Sequence, residues 1–281
     1  SPVGTTQKIS NIITSGNNLR KKEFYFAYSP ERVLPGKILE ELENLDRVVG
    51  TNDNKSREKA LEFYSSFCKG KIHSTEIKIA ELSKLTENAF RDVNIAFANE
   101  ISLICSEINI NVNELISLAN YHPRVNILQP GCGVGGHCIA VDPWFIASQY
   151  PESTKLIQAA RLVNNRKPKK IVEEILLYEK NFIQKNNRRP TLGLMGLTFK
   201  ADVDDLRESP ALNIALDLIS FKKDVICCEP NIKYVSEIKL YSLDEILKQA
   251  DIIIFLVPHK QFKKIKLINY DFIDFCGINL K

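Results

Sequence analysis

An α/β fold follows from three features of the sequence. Strand-like runs alternate with helical patterns, most regularly beyond residue 190. The strongest run, ADIIIFLVP at 250–258, lacks polar alternation, as expected of a strand covered on both faces in a parallel sheet. Between them, a segment from Ile77 to Ile108 holds no Gly or Pro and repeats apolar residues every three to four positions, which predicts a helix of roughly 45 Å. That exceeds the width of a small domain, so the helix is expected to bridge two domains or subunits.

In chain order, the first segment mixes short strand-like runs, Glu23 to Tyr28 and Arg47 to Gly50, with a helical stretch from Asn54 to Cys68, and reads as the tail of an α/β domain. After the long helix comes a Gly-rich loop at 130–143, then helical patterns from Ser153 to Asn164 and from Pro168 to about Asn181, the proline suiting a first turn. The basic, polar stretch KNNRRP, Lys185 to Pro190, marks a boundary. Beyond it a strand over Thr191 to Leu197 leads to Ser209-Pro210, an N-cap and first-turn pair for a helix to Phe221. A strand over Asp224 to Cys228, a short helix from Ser242 to Gln249 and ADIIIFLVP follow. The expected division is therefore 1–76, 77–184 and 185–281.

A chain of 281 residues allows about two domains with a buried core. Its 44% hydrophobic and 26% charged residues exclude collagen, a disulfide miniprotein and wholesale disorder. The formal charge of +4 points to neither nucleic acid nor a membrane. No apolar run approaches the roughly 20 residues that span a bilayer, and no basic-then-apolar signal opens the chain, so a cytoplasmic location is expected. Seven cysteines, an odd number without a CxxC pair, read as reduced thiols. The chain opens on Ser1-Pro2 and its one methionine is Met195, which suggests a piece of a longer protein.

The segment GCGVGGHCIAVDPWF at 131–145 carries the most chemistry. Gly131, Gly133 and Gly136 formally satisfy GxGxxG, but Pro130 and Pro143 leave little room for the helix that a dinucleotide fingerprint needs. Four glycines let a backbone approach a ligand closely, and they end at His137-Cys138. A free thiol, with a pKa of about 8.5, is only a few per cent ionised at neutral pH, so a nucleophilic Cys138 needs a cation or base nearby. The alternative is a small buried hydrophobe; the Gly-Gly context and adjacent polar groups favour the nucleophile. Asp142, four residues on, suits the orientation of a water or base.

On the long helix, Glu81, Lys84, Asn88 and Arg91 form one polar stripe. Leu82, Leu85, Ala89, Phe90, Val93, Ala96 and Phe97 surround it, so the helix is expected to be buried on most sides. A lysine and an asparagine at i and i+4 can aim two donors at one oxygen, as a developing alkoxide requires; a surface salt-bridge ladder has the same spacing. YSPERVLPGK at 28–37 holds Glu31 on a loop constrained by Pro30 and Pro35-Gly36, as a base or as a plain turn residue. GLMGLTFKADVDDLRESP at 193–210 combines glycines, Lys200, Arg207 and a helix start, which suits a phosphate or diphosphate or is an ordinary solvated loop.

Together these segments resemble the UDP-glucose/GDP-mannose dehydrogenase family. The resemblance rests on SPVGTT at 1–6, YSPERVLPGKI at 28–38, ELSKLTENAFRDVNIAFANE at 81–100, PRVNILQPGCGVGGHCIAVDPWF at 123–145 and GLTFKADVDDLRESPA at 196–211, in family order. GHCIAVDPWF with SPERVLPGK favours the N-acetylmannosamine branch over the glucose branch. The resemblance implies a remnant of an N-terminal Rossmann domain that binds NAD, a central long-helix region that forms a homodimer, and a C-terminal Rossmann-like parallel sheet that binds the UDP-sugar. It implies two successive oxidations of the sugar 6-hydroxymethyl group, with Cys138 attacking the aldehyde, Lys84 and Asn88 stabilising the oxyanion, and Asp142 and Glu31 assisting the water. Arg32, Val33, Arg91, Arg124, Gly135, His137 and Lys200 match substrate contacts, Arg207 matches a contact to the NAD diphosphate, and no metal is implied. Cys132 stands where the family commonly has proline, and DFIDFCGINLK departs from the usual ending. A second reading is a non-catalytic, dimeric nucleotide-sugar-binding module without a hydride acceptor site. A Cys138/His137 hydrolase is geometrically poor, because neighbours in an extended chain point to opposite sides.

Overall fold

The computed structural model describes residues 1–15, 24–33, 37–268 and 270–278. In chain order the elements are α1 (Thr5–Ser15), β1 (Ala27–Tyr28), α2 (Ile38–Asn44), β2 (Arg47–Thr51), α3 (Asn54–Ser65), β3 (Ile72–Thr75), α4 (Ile77–Glu107), α5 (Val112–Ala119), α6 (Asp142–Gln149), α7 (Lys155–Asn186), β4 (Leu192–Met195), α8 (Pro210–Ser220), β5 (Val225–Cys228), α9 (Leu243–Gln249), β6 (Ile252–Phe255) and β7 (Asp271–Asp274). They form two compact units, one of residues 1–89 and 142–154, the other of residues 90–141 and 155–281, with the division falling inside α4.

The first unit is built on a three-stranded sheet in the order β1-β2-β3. β2 and β3 run parallel, with Arg47 opposite Ile72 and Gly50 opposite Thr75, and α3 makes the crossover that parallel strands require. Asp53 caps α3, accepting the Ser56 N–H at 2.8 Å and its hydroxyl at 2.6 Å. Of the run expected to be a strand from Glu23, only Ala27 and Tyr28 pair among the described residues; Glu23 and the Pro35-Gly36 turn lie outside them. Glu81 on α4 is fully buried and accepts the N–H groups of Gly4 and Thr6 and the Thr6 hydroxyl at 2.6–2.8 Å, so it caps the start of α1.

The second unit carries a parallel sheet in the order β5-β4-β6-β7, as the apolar strands predict. One side packs Leu192, Leu194, Ile252 and Ile254 against Ile171 and Ile175 of α7 and Ile214 and Leu218 of α8. The other packs Met195, Ile253 and Phe255 against Ile246 of α9 and Phe262. Ser209 caps α8 with Pro210 in its first turn, and Ser242 forms a full capping box with Glu245 at α9.

Two expectations are corrected. The helical patterns on either side of Pro168 are one helix of 32 residues, α7, with the proline inside. Proline costs one bond, to the Asn164 carbonyl, and roughly 3 kcal/mol; Asn164, Lys167, Ile171, Val172 and Ile175 are all buried around it, and that packing outweighs the loss. Nor is α4 buried on most sides: Leu82, Phe90 and Phe97 are exposed, Phe90 by 68%. Apolar residues circle the helix, but the fold of the chain covers only part of its circumference.

Candidate active site

In the first unit, α4 presents Lys84 and Asn88 one turn apart. Asn88 is buried and its amide donates to Asp142 at 2.5 Å. Asp142 opens α6, where the helix N-terminus favours its negative charge. Lys84 is half-buried and, among the described residues, its ammonium has no hydrogen-bond or ion-pair partner. The polar stripe is thus no surface ladder: Glu81 serves as a cap, Asn88 holds Asp142, and Lys84 is left unengaged.

Glu31 is exposed on the short segment behind buried Pro30. Its carboxylate accepts the Arg32 and Val33 N–H groups at 2.8 and 3.2 Å and lies 3.8 Å from the Arg47 guanidinium. Arg47, almost fully buried, stacks over Tyr64 and Phe67 at 5.2 and 5.9 Å. Arg32 pairs with Glu87 of α4, while its Nε is buried without a partner among the described residues.

The second unit holds the glycine loop. A Cβ on Gly135 would stand 2.4 Å from the Glu208 carbonyl oxygen and 2.8 Å from Phe199 Cβ, and one on Gly136, at φ +80°, would stand 2.8 Å from the Phe199 ring. These glycines therefore seat the loop on residues 199–210: the close approach that Gly135 and Gly136 allow is to the chain's own Phe199 and Glu208. The Gly136 N–H donates to the Arg207 carbonyl at 3.1 Å, and the Gly131 N–H donates to the Asn99 side chain at 2.9 Å. Cys138, at the end of the loop, is partly exposed, two residues beyond the Gly136 N–H that bonds the Arg207 carbonyl. Asp205 pairs with the Arg207 guanidinium at 2.6 Å and raises its pKa. His137 is exposed beside Asp205, and Lys200, Arg91 and Arg124 are also exposed.

Burial sorts the other thiols. Cys132 donates to the Leu256 carbonyl at 3.2 Å, and burial pushes its pKa up to about 12. Burial also raises Cys227 and Cys228 to about 12, and Cys276 well above an ordinary thiol. Among the described residues no group of three or more His, Cys, Asp or Glu is arranged to hold a metal, and no helix is long and apolar enough to cross a membrane.

Sequence reasoning missed a buried network behind the loop. Asp92 accepts from Arg161 at 2.6 Å and from the Asn164 amide at 2.8 Å, and Asn164 accepts from Asn99, the residue that holds Gly131. Its one signal in the sequence was the seven-residue spacing of Asp92 and Asn99 on an otherwise apolar helix face.

The family patterns of the UDP-glucose/GDP-mannose dehydrogenases match the chain in three places: the NAD binding domain at residues 1–68, the central domain at 78–166 and the UDP binding domain at 193–273. A UDP-N-acetyl-D-mannosamine dehydrogenase of Campylobacter jejuni is 45% identical over 95% of this chain and 68% of its own length. The chain belongs to the UDP-glucose/GDP-mannose dehydrogenase family. An NDP-N-acetyl-D-galactosaminuronic acid dehydrogenase of Ralstonia nicotianae is also 45% identical, over 94% of this chain and 64% of its own length. The solved structure of the UDP-D-ManNAc dehydrogenase from Pyrococcus horikoshii superposes with a TM-score of 0.86 at 37% identity, covering 99% of this chain and 67% of that one. The chain thus spans about two thirds of the length of the relatives it matches. Family members are NAD-dependent nucleotide-sugar dehydrogenases, and the α/β class, the family, the enzyme class and the cofactor agree with the sequence expectations.

Proposed function

We propose that this chain serves the oxidation of UDP-N-acetyl-D-mannosamine to UDP-N-acetyl-D-mannosaminuronate, a four-electron conversion of a C6 alcohol to a carboxylate. The observation that carries the reading is Cys138: a partly exposed thiol at the end of a loop seated by glycines, in a chain 45% identical to a UDP-N-acetyl-D-mannosamine dehydrogenase. Residues 1–76 belong in this reading to the NAD-binding part, 77–184 to the central dimerisation and catalytic-loop part, and 185–281 to the UDP-sugar part.

The residues present fit NAD. In the first unit Gly4, at φ +91° before α1, has no atom within 4 Å of where a Cβ would stand, which suits close approach of a cofactor to the backbone; Arg207, exposed in the second unit, is assigned to the diphosphate on the family resemblance alone. NAD supplies a hydride acceptor at each oxidation. The chain supplies the rest. On the family resemblance, the Cys138 sulfur adds to the C6 aldehyde, and the new alkoxide takes hydrogen bonds from Lys84 and from the second amide N–H of Asn88, whose first is given to Asp142. Once that thiohemiacetal is oxidised, the thioester is cleaved by a water oriented by Asp142 and Glu31, which gives back the thiol and releases the carboxylate. Arg32, with Val33, Arg91, Arg124, Gly135, His137 and Lys200, is assigned to the nucleotide sugar on the family resemblance.

The product is a uronic acid of the kind built into surface polysaccharides, and the location is cytoplasmic. The chain pairs as a homodimer through α4, whose Phe90, Phe97 and Ile104, seven residues apart, form an exposed apolar row. The test is calorimetric titration with UDP and with NAD, followed by turnover assays with UDP-N-acetylmannosamine and its galacto and gluco counterparts. Binding of both ligands with acid formed from the manno sugar is expected. UDP binding alone, without NAD binding or turnover, would establish the binding-module reading instead, and preference for the galacto sugar would move the substrate to that of the Ralstonia relative.

A further inference from the structure

The carboxyl ends of β4, β5 and β6 meet at a buried polar cluster that no step above uses. Glu229 follows β5 directly, His259 lies four residues past the end of β6, and they are 4% and 0% exposed. In a parallel sheet of order β5-β4-β6-β7 the chain reverses direction of winding between β4 and β6, the place where such sheets hold ligands.

Hydrogen bonding fixes the state of the imidazole. The Asp202 backbone N–H, which can only donate, points at His259 Nδ1 from 3.0 Å, so Nδ1 is an acceptor. The ring proton therefore sits on Nε2, 3.0 Å from Glu229 Oε2, which accepts it. The same carboxylate oxygen accepts the N–H groups of Leu197 and Thr198 at 2.7 and 3.1 Å, and the other accepts that of Asn231 at 2.9 Å. Asp202 stands at φ +60°, a conformation that a residue with a side chain adopts only when its surroundings hold it, and the bond to His259 is one of those restraints.

The loop held in this way carries the groups that seat Gly135 and Gly136, just before Cys138. Phe199 is the surface on which Gly135 and Gly136 pack, Arg207 receives the Gly136 N–H, and Lys200 lies between them in sequence. We propose that His259, with Glu229, is a positioning residue for the nucleotide-sugar site: an Nε2-protonated imidazole that fixes the loop 197–209 and, through it, the loop ending in Cys138. This rests on reading the second unit as the UDP-sugar part.

Three measurements on the whole chain test it, none of which requires turnover. Long-range nitrogen NMR of the four histidines, with His259 assigned by its loss in H259Q, is expected to show the Nε2-H form at pH 7; an Nδ1-H form overturns the proposal. Amide hydrogen exchange in H259Q, and in the isosteric E229Q should H259Q fail to fold, is expected to accelerate about ten-fold or more over 198–208 and 131–138 while the core strands stay protected. Cys138 alkylation by iodoacetamide should change several-fold in the same variants, with H259N, whose shorter side chain places its amide oxygen at the Nδ1 acceptor position, partly restoring the wild-type rate. Uniform acceleration across the unit, or unchanged exchange and alkylation at 131–138, overturns the positioning role. Failure of the wild-type chain to bind UDP would instead overturn the reading of the site, leaving the tautomer and exchange results to stand by themselves.

Discussion

Cys138 and Cys132 stand six residues apart in one loop and differ in what surrounds them. Cys132 lies in the core, bonded to the Leu256 carbonyl, with its pKa pushed up to about 12. At pH 7 that leaves only about one thiol in 10⁵ ionised. Iodoacetamide at neutral pH is therefore expected to label Cys138 in the folded chain and to spare Cys132, Cys227, Cys228 and Cys276, as read by peptide mass spectrometry. Labelling of Cys132 on the same timescale would refute the burial argument. The Asn88 amide is the donor that Asp142 receives at 2.5 Å. Asn88→Ala is expected to lower kcat for acid formation about 10²- to 10³-fold, the usual cost of one oxyanion donor, with a smaller change in KM in steady-state kinetics. At this scale the sequence showed which residue types stood together, but not their partners. That Glu81 caps α1 and Asn88 grips Asp142 depends on contacts between residues more than fifty positions apart.

The elements repeat this division of labour. α4 was expected at 77–108 and is found at Ile77–Glu107, because a period of three to four in a segment free of Gly and Pro is a local property. The break expected at Pro168 does not occur, because burial along α7 is a property of what packs against it. The glycine loop was legible as a place where backbone comes close to something. That the something is the Phe199–Pro210 segment was not legible. Gly135→Ala is accordingly expected to destabilise the chain by about 2 kcal/mol or more, since its methyl would stand 2.4 Å from the Glu208 carbonyl. Gly131→Ala, with no atom within 4 Å, should stay within about 0.5 kcal/mol in urea unfolding. Equal effects at the two positions would refute the seating role.

At the scale of the whole molecule, two outcomes concern assembly and acid stability. Phe97 is 49% exposed on the apolar row of α4. If the chain pairs as proposed, Phe97→Glu is expected to convert the dimer to monomer in sedimentation velocity with the thermal midpoint of the monomer fold little changed; an unchanged dimer would place the interface elsewhere, and a monomeric wild type would overturn the pairing. Glu229 is buried, which pushes its pKa up, but hydrogen bonds from His259, Leu197 and Asn231 outweigh that and hold it below the ordinary 4.5. Its folded value lies below its unfolded one, so its stabilisation is present above about 4.5 and is lost as pH falls through the lower folded value. The difference in urea midpoint between wild type and Glu229→Gln should thus be flat from neutral pH to about 5 and shrink below 4.5. A pH profile identical in wild type and variant would show that the carboxylate is not held as described.

The sequence by itself determined the α/β class, the long helix α4, the strand–helix alternation beyond residue 190, the family and the identity of the chemical groups, because periodicity, capping residues and motif order are written in neighbouring residues. Only the tertiary structure decided which polar groups are structural and which remain available. Glu81 and Glu229 are spent on backbone N–H groups, four of the cysteines are raised out of reach by burial, and among the described residues Lys84 and Cys138 stay unspent. That distinction rests on desolvation and on hydrogen-bond partners brought together by long-range packing, which no local pattern encodes.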